Sequence, residues 1–173
     1  NNLMFTKNIN FKNFQLKYSS IKIEKLFKKL INEKNEIIES LKDNYKDTYS
    51  KKIFNKLNKS NEVILIGMGG SILGSRSIYN FLKGKIKKKF IFKDDFEFLK
   101  LNSKNKKSRI NLIISKSGNT LETIANSNIF INKSRNSFFI TENKKNYLTK
   151  LAEKLKFEVI HHNNFIGGRY SVL

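Results

Sequence analysis

Residues 63–71 read VILIGMGGS, a run of four apolar residues followed by a loop that contains three glycines. A short apolar run bounded by glycine predicts a buried strand. Glycines let a backbone approach a ligand closely or adopt a positive φ. A helical pattern over residues 71–82 follows, so the loop precedes a helix N-terminus. The stretch therefore predicts a strand–loop–helix unit with an anion-binding loop.

The sequence on either side repeats this alternation. Further short apolar runs lie at residues 90–92, 112–114, 138–140 and 159–160. Helical patterns lie between them; over residues 147–155, for instance, apolar residues share one helix face. Strands alternating with helices predict an α/β domain, a three-layer αβα doubly wound parallel sheet over residues 61–173. In such sheets ligands bind at the carboxyl ends of the strands.

An N-terminal helical segment is predicted over residues 1–60. From Ile21 onward apolar residues recur at steps of three and four, and Ile53, Phe54 and Leu57 continue this amphipathic pattern. We expect its apolar stripe to cover the following domain. Residues 1–20 have no clear period and receive no functional assignment.

The composition is strongly basic, with a formal net charge of +21 and no cysteine. The absence of cysteine excludes disulfides, thiolate metal sites and cysteine nucleophiles. All but four of the 35 basic residues are lysines, spread along the whole chain. Lys, Asn, Ile and Phe all have AT-rich codons, so genomic base bias accounts for the charge. A nucleic-acid partner ranks last because no recognition motif is present.

Localisation signals are also missing from the sequence. No run approaches the roughly 20 apolar residues of a membrane-spanning helix, and no secretory signal is visible. We therefore expect a cytoplasmic protein with no membrane partner. The chain begins with Asn1 and ends at Leu173 within a motif, so we expect a fragment that has lost both termini.

A second loop, residues 115–120, reads SKSGNT and precedes another helical pattern. Three hydroxyls and one ammonium group lie within these six residues. Capping of the helix, at about 1 kcal/mol, accounts for one hydroxyl only. A phosphate monoester requires several donors and nearby positive charge, which this loop supplies at a helix dipole. The loop therefore predicts a phosphate site.

A third glycine loop, residues 167–171, reads GGRYS and follows the last predicted strand. After two glycines, the guanidinium of Arg169 can extend into a site shared with the other loops. A solvent-exposed arginine on a turn is the alternative for this loop taken alone. His161 and His162 precede it without acidic or thiol partners at ligand spacing, so we interpret them as structural and predict no metal site.

Two nucleotide-binding motifs were compared with the first loop. A dinucleotide fingerprint requires glycine at its sixth position, which here is Ile72, although Asp94 lies about where a ribose-binding acid is expected. That reading stays open as an alternative. The phosphate loop of nucleotide hydrolases fails because no Gly-Lys-Ser or Gly-Lys-Thr follows.

Taken in order, residues 67–71, residues 115–123 (SKSGNTLET) and residues 167–171 resemble the glucose-6-phosphate isomerase family. The resemblance covers about residues 61–173. The first two motifs alone fit the broader class of sugar isomerase domains, and GGRYS points to the isomerase itself.

The resemblance implies a role for each motif. Gly70 and Ser71 would contact the sugar, and Arg169 would be the catalytic arginine. The 6-phosphate would be held by Ser115, Lys116, Ser117 and Thr120. Family members interconvert glucose 6-phosphate and fructose 6-phosphate through a cis-enediolate, in glycolysis and gluconeogenesis, without a metal or organic cofactor. They form homodimers, so a homodimer is implied for the complete protein.

The chain also departs from the family pattern. The family's glutamate base, its ring-opening histidine and a late lysine lie C-terminal to GGRYS, beyond Leu173. Glu122 lies on the helix after the phosphate loop, and we expect it to brace that loop. We therefore expect the 173 residues alone to be inactive as an isomerase. The alternative function is a non-catalytic phosphosugar-binding regulatory module.

Overall fold

The computed structural model of the protein describes residues 21–46, 48–96, 109–131 and 136–167. Three helices come first, and from residue 62 onward strands and helices follow one another. The helices are α1 (Ile21–Ile31), α2 (Glu36–Ser40), α3 (Lys51–Lys59), α4 (Gly70–Leu82), α5 (Leu121–Ile131) and α6 (Tyr147–Leu155). The strands are β1 (Glu62–Ile66), β2 (Lys89–Lys93), β3 (Arg109–Ile114), β4 (Ser137–Glu142) and β5 (Glu158–His162).

The strands form one parallel sheet in the order β2-β1-β3-β4-β5. From β1 the chain first moves outward to β2, then returns past β1 to β3 and continues in the other direction. The order therefore reverses between β1 and β3, which are direct neighbours in register, with Ile66 opposite Ile113. Ligands of open parallel sheets bind at such a switch point, outside the carboxyl ends of the strands.

Helices cover both faces of the sheet. On one face, α5 and α6 pack on residues of β1, β3 and β4, and the buried residues there are Ile64, Ile66, Ile113, Phe130, Phe139, Leu148 and Ala152. On the other face, α4 and α3 pack on the alternate residues, with Val63, Leu65, Ile72 and Ile114 around α4 and Ile53, Ile110 and Phe138 around α3. This confirms the three-layer α/β fold expected from the alternating strands and helices.

The N-terminal helices pack unequally. Ile53 of α3 is buried against β3 and β4, as the expectation of a covering stripe requires. In α1, by contrast, no residue is buried, and Ile23 and Leu26 are 67% and 57% exposed. The expectation is therefore wrong for α1, because an amphipathic period predicts a helix but not the surface that takes its apolar face. The domain boundary at residue 60 stays a prediction.

Within the described ranges, none of the helices combines the length and the apolar character that crossing a bilayer requires.

Candidate functional site

The loop between β1 and α4 lies at the switch point. The N–H of Gly67 donates to the carbonyl oxygen of Lys93, at the end of β2, over 3.1 Å. A Cβ added to Gly67 would lie only 2.9 Å from the carbonyl oxygen of Ile114, at the end of β3. The loop is therefore held against both neighbouring strands, and the absence of a side chain at Gly67 allows this close approach.

Replacing Gly67 with alanine is expected to destabilise the fold by roughly 1–3 kcal/mol, because the added methyl group must push against backbone rather than a movable side chain. Gly84 is the matched control, since a Cβ there meets nothing within 4 Å. Urea unfolding of Gly67→Ala and Gly84→Ala measures the difference. Equal stabilities for the two variants would contradict the close approach.

The start of α4 lies in the first loop. Gly69 is its N-cap residue, with φ 54° and ψ −124°, and no side chain caps the helix. The first turn contains no acidic residue. Gly70 and Ser71, the predicted sugar contacts, are both partly exposed there. The N-terminal end of the helix dipole therefore favours an anionic or strongly polar ligand at this position.

The hydroxyls of the second loop shape the loop itself. The buried Ser115 Oγ lies 3.0 Å from Thr120 Oγ1 and accepts the N–H of Gly118 over 3.2 Å. Ser117 Oγ accepts the N–H of Asn119 over 3.3 Å. A hydroxyl that accepts in this way still has a hydrogen to donate. Ser117 is exposed, so its hydroxyl is available to a ligand oxygen.

Lys116 connects the second and third loops. A Cβ added to Gly167 would lie 2.9 Å from Lys116 Nζ, so the ammonium group lies against the start of the GGRYS motif. The same ammonium group is 3.4 Å from Glu142 Oε1. Gly168 and the predicted catalytic Arg169 lie outside the described residues. The described parts of all three loops thus meet at the carboxyl ends of the strands. The roles of these loops in binding stay predictions.

Glu142, at the end of β4, was not predicted from the sequence. Its side chain is 13% exposed and accepts from Lys144 as well as Lys116. Burial raises the pKa of this carboxyl, but the hydrogen bonds and charges of Lys144 and Lys116 outweigh burial, so the pKa lies below its ordinary value. Glu142 therefore keeps its negative charge beside the second loop at neutral pH.

Glu142→Gln is expected to remove a pH-dependent part of the free energy of unfolding. Because the folded pKa is lowered, this part is fully present above the unfolded pKa of about 4.3 and is lost as pH falls through the folded pKa. Urea unfolding between neutral and acid pH should therefore show a shallower decline for Glu142→Gln than for the unchanged chain. Parallel declines would contradict this.

Glu158→Gln is the matched control for that experiment. A hydrogen bond from Lys56 also lowers the pKa of Glu158. Replacing Glu158 should therefore also make the free energy of unfolding decline less steeply as the pH falls. Glu158 lies at the amino-terminal end of β5, whereas Glu142 lies at the carboxyl end of β4, where the three loops are. Only Glu142→Gln is therefore expected to change ligand binding at the second loop as well, because it removes the negative charge that pairs with Lys116.

Several candidate residues from the sequence have other surroundings than expected. Glu122 lies in the first turn of α5, and within the described ranges no hydrogen bond or ion pair joins it to the phosphate loop, so the expected brace is not seen. Asp94, the acid that a dinucleotide site would use, accepts from Arg76 over 2.8 Å. Ile72, where that fingerprint needs glycine, is fully buried in the core.

The paired histidines belong to the end of β5. His162 Nδ1 is 2.7 Å from the carbonyl oxygen of Asn163, and the carbonyl oxygen of His161 accepts the hydroxyl of Thr48 over 2.9 Å. In the part of the chain that the structure describes, no three His, Asp or Glu side chains cluster so as to hold a metal ion.

A cavity of about 400 Å³ lies away from the three loops, at the amino ends of β4 and β5. Lys56, Lys59 and Lys156 line it together with Phe157 and Glu158. Glu158 is 2.7 Å from Lys56 Nζ, so part of this charge is compensated within the chain. Since ligands of parallel sheets bind at the carboxyl edge, we do not assign this cavity to the candidate site.

The chain is similar in sequence to known proteins. No protein-family model matches the chain. A glucose-6-phosphate isomerase of Methanocaldococcus jannaschii is 35% identical over 179 residues, covering 96% of this chain and 41% of the relative. One of Borreliella afzelii is 35% identical over 130 residues, covering 65% of this chain and 24% of the relative. The chain thus spans less than half the length of these relatives.

Solved structures share the fold at lower identity. Tagatose-6-phosphate ketose/aldose isomerase from Escherichia coli is 18% identical, with a TM-score of 0.51 over 85% of this chain and 37% of that one. The Vibrio vulnificus NanR protein complexed with ManNAc-6P is 19% identical, with a TM-score of 0.52 over 69% of this chain and 46% of that one. The chain is therefore homologous to glucose-6-phosphate isomerases over the part of their length that it spans, and it has the fold of sugar isomerase domains.

Proposed function

We propose that this chain is the phosphosugar-binding part of a glucose-6-phosphate isomerase, which interconverts glucose 6-phosphate and fructose 6-phosphate through a cis-enediolate. One observation carries the proposal: the glycine loop and the SKSGNT loop meet at the switch point of the sheet, joined by the contact of Gly67 with Ile114. The curated relatives named for this reaction support the same conclusion.

The second loop binds the 6-phosphate in this proposal. The exposed hydroxyl of Ser117 donates to a phosphate oxygen, the ammonium group of Lys116 supplies charge, and the N-terminus of α5 adds its dipole. The remaining phosphate ligands are Ser115 and Thr120, whose hydroxyls face each other over 3.0 Å. The phosphate is remote from the reacting carbons, so its binding energy serves to hold those carbons in place.

The first loop and the third loop act on the sugar. Gly70 and Ser71 contact it at the start of α4, at the positive end of the helix dipole. Arg169 stabilises the enediolate, because a carboxylate can remove a proton beside a carbonyl only when the developing negative charge is stabilised. A guanidinium stays protonated beside such a base. This chemistry uses neither a metal ion nor an organic cofactor.

The complete protein supplies what this chain lacks. The glutamate base and the ring-opening histidine come from sequence beyond Leu173, and two copies associate as a homodimer in the cytoplasm. The reaction serves glycolysis and gluconeogenesis. The isolated 173 residues bind the phosphosugar without turning it over.

The second candidate is a non-catalytic phosphosugar-binding regulatory module. It is favoured by one observation, the shared fold of the NanR protein whose structure holds ManNAc-6P. It predicts phosphosugar binding without turnover in the complete protein as well as in this chain.

Turnover of fructose 6-phosphate separates these candidates, measured for the protein from the uninterrupted reading frame with this chain assayed beside it. The isomerase proposal expects activity in the longer protein only. Ser117→Ala should raise KM, whereas Ser77→Ala, whose hydroxyl bonds within α4 to Leu73, should not. Inactivity of both chains with phosphosugar binding intact would establish the regulatory module instead, and activity of the short chain would overturn the assignment of the base.

A further inference from the structure

The end of β4 and the start of α6 are hydrogen-bonded to the proposed phosphate loop. The carbonyl oxygen of Lys116 accepts the N–H of Glu142 over 3.0 Å and the hydroxyl of Thr141 over 3.2 Å. The carbonyl oxygen of Gly118 accepts the N–H of Leu148 over 3.1 Å. Two backbone carbonyls of the loop are therefore fixed by residues that belong to the next strand and helix.

Asn146 lies at the centre of this contact and is buried. Its Oδ1 accepts the N–H of Thr149 over 2.9 Å and so caps α6, while the Thr149 hydroxyl accepts the N–H of Asn146 over 3.0 Å. Its Nδ2 donates to Thr141 Oγ1 over 3.0 Å and to the carbonyl oxygen of Lys144 over 3.1 Å. The Asn146 side chain thus uses both its oxygen and its nitrogen. Its Nδ2 is linked to the loop through Thr141, whose hydroxyl donates to the carbonyl oxygen of Lys116.

The same side chain fills the space beside Gly118. A Cβ added to Gly118 would lie 2.1 Å from Asn146 Cγ and from Asn146 Oδ1. Gly118 has φ +66°, a left-handed conformation in the middle of the loop. Glycine adopts such a conformation without strain, whereas a residue with a side chain does not. Asn146 fills the space beside this glycine, so the loop and the Asn146 side chain restrict one another by direct contact.

We propose that Asn146 is a positioning residue, which holds the loop of residues 115–120 in the conformation that receives the phosphate. The proposal rests on the proposed function for the identity of the ligand, but not for the contact itself. Asn146 touches no substrate; it acts through Thr141 and through the packing against Gly118. Loss of this support leaves the loop to sample other conformations, and ligand affinity falls with the fraction of chains that have the competent one.

Asn146→Ser tests the proposal. Serine still caps a helix well, but its shorter side chain cannot cap α6 and reach Thr141 together. We expect affinity for fructose 6-phosphate, measured by titration calorimetry on this chain, to fall about tenfold, the size expected for losing such a buried hydrogen bond. Ser50→Ala is the matched control. The Ser50 hydroxyl caps α3 by accepting the N–H of Ile53, and this cap lies far from the phosphate loop.

The control separates a local effect from general destabilisation. Affinity lowered by Asn146→Ser but kept by Ser50→Ala supports the positioning role, whereas equal affinities in both variants overturn it. If the unchanged chain binds no phosphosugar, the proposed function fails on its own, and amide hydrogen exchange then decides. Faster exchange of the Gly118 and Leu148 amides in Asn146→Ser, without faster exchange in β3, supports the role; unchanged exchange overturns it.

Discussion

Gly118→Ala is expected to lower the free energy of unfolding by roughly 3–6 kcal/mol, combining left-handed strain, loss of a helix cap and overpacking. Alanine at this position must adopt φ +66°, and its methyl group would overlap the Asn146 amide. The amide cannot move aside without leaving its bonds to Thr149 and Thr141. Phosphosugar binding should be lost at temperatures where the variant is still folded.

A double-mutant cycle checks the cause. Asn146→Ala removes the atoms that a methyl group at residue 118 would meet, so Gly118→Ala should cost about 1–2 kcal/mol in that background, the strain alone. Urea unfolding of the two single variants and the double variant gives the coupling. Additive costs would show that Gly118 and Asn146 do not constrain one another.

The second large effect concerns catalysis. For the complete protein, the proposed function predicts that Arg169→Ala reduces isomerase turnover by roughly 10²–10³-fold, the size seen when one preorganised donor to a developing oxyanion is removed. KM should change little, because the arginine is proposed to act on the enediolate rather than on the bound substrate.

Arg169→Lys is the control for this effect. Lysine keeps the positive charge but not the two-pronged donor geometry, so turnover should fall less than in Arg169→Ala. Steady-state kinetics in the direction of fructose 6-phosphate to glucose 6-phosphate compares the two. Turnover that Arg169→Ala leaves unchanged would remove this residue from the mechanism.

The positions of the strands followed from hydropathy because both faces of the sheet are covered, whereas their order in the sheet, β2-β1-β3-β4-β5, did not. Each predicted apolar run lies inside an observed strand, and all five residues of β1 are buried. The runs did not reveal the strand ends. β3 begins at Arg109, which is buried because its guanidinium pairs with Glu62 of β1, and such a pairing across strands leaves no apolar signal.

The loops of the site were predictable, but the residues that support them were not. Glycines and hydroxyls ahead of helices mark the loops at residues 67–71 and 115–120 within a local window. Glu142 lies near Lys116 only because β3 pairs with β4. No local sequence pattern around Glu142 therefore predicts this contact. Asn146 had a usable signal, an Asn before a helix with Thr149 three residues later, but that signal predicts a cap and not a partner for Gly118.

The apolar face of α1 also shows that a sequence pattern predicts an element but not its contacts. Its period correctly predicted a helix, yet α1 buries no residue while α3 buries Ile53 in the core. Period depends on the helix itself, whereas burial depends on what the helix meets in three dimensions.

Calorimetric titration of this chain with fructose 6-phosphate, beside unphosphorylated fructose, tests the central claim most directly. The account predicts binding of the phosphosugar, competition by inorganic phosphate, no measurable binding of fructose, and loss of affinity in Ser117→Ala but not in Ser77→Ala. Equal affinity for the two sugars, or phosphosugar affinity that Ser117→Ala leaves unchanged, would contradict a phosphate site in the loop of residues 115–120.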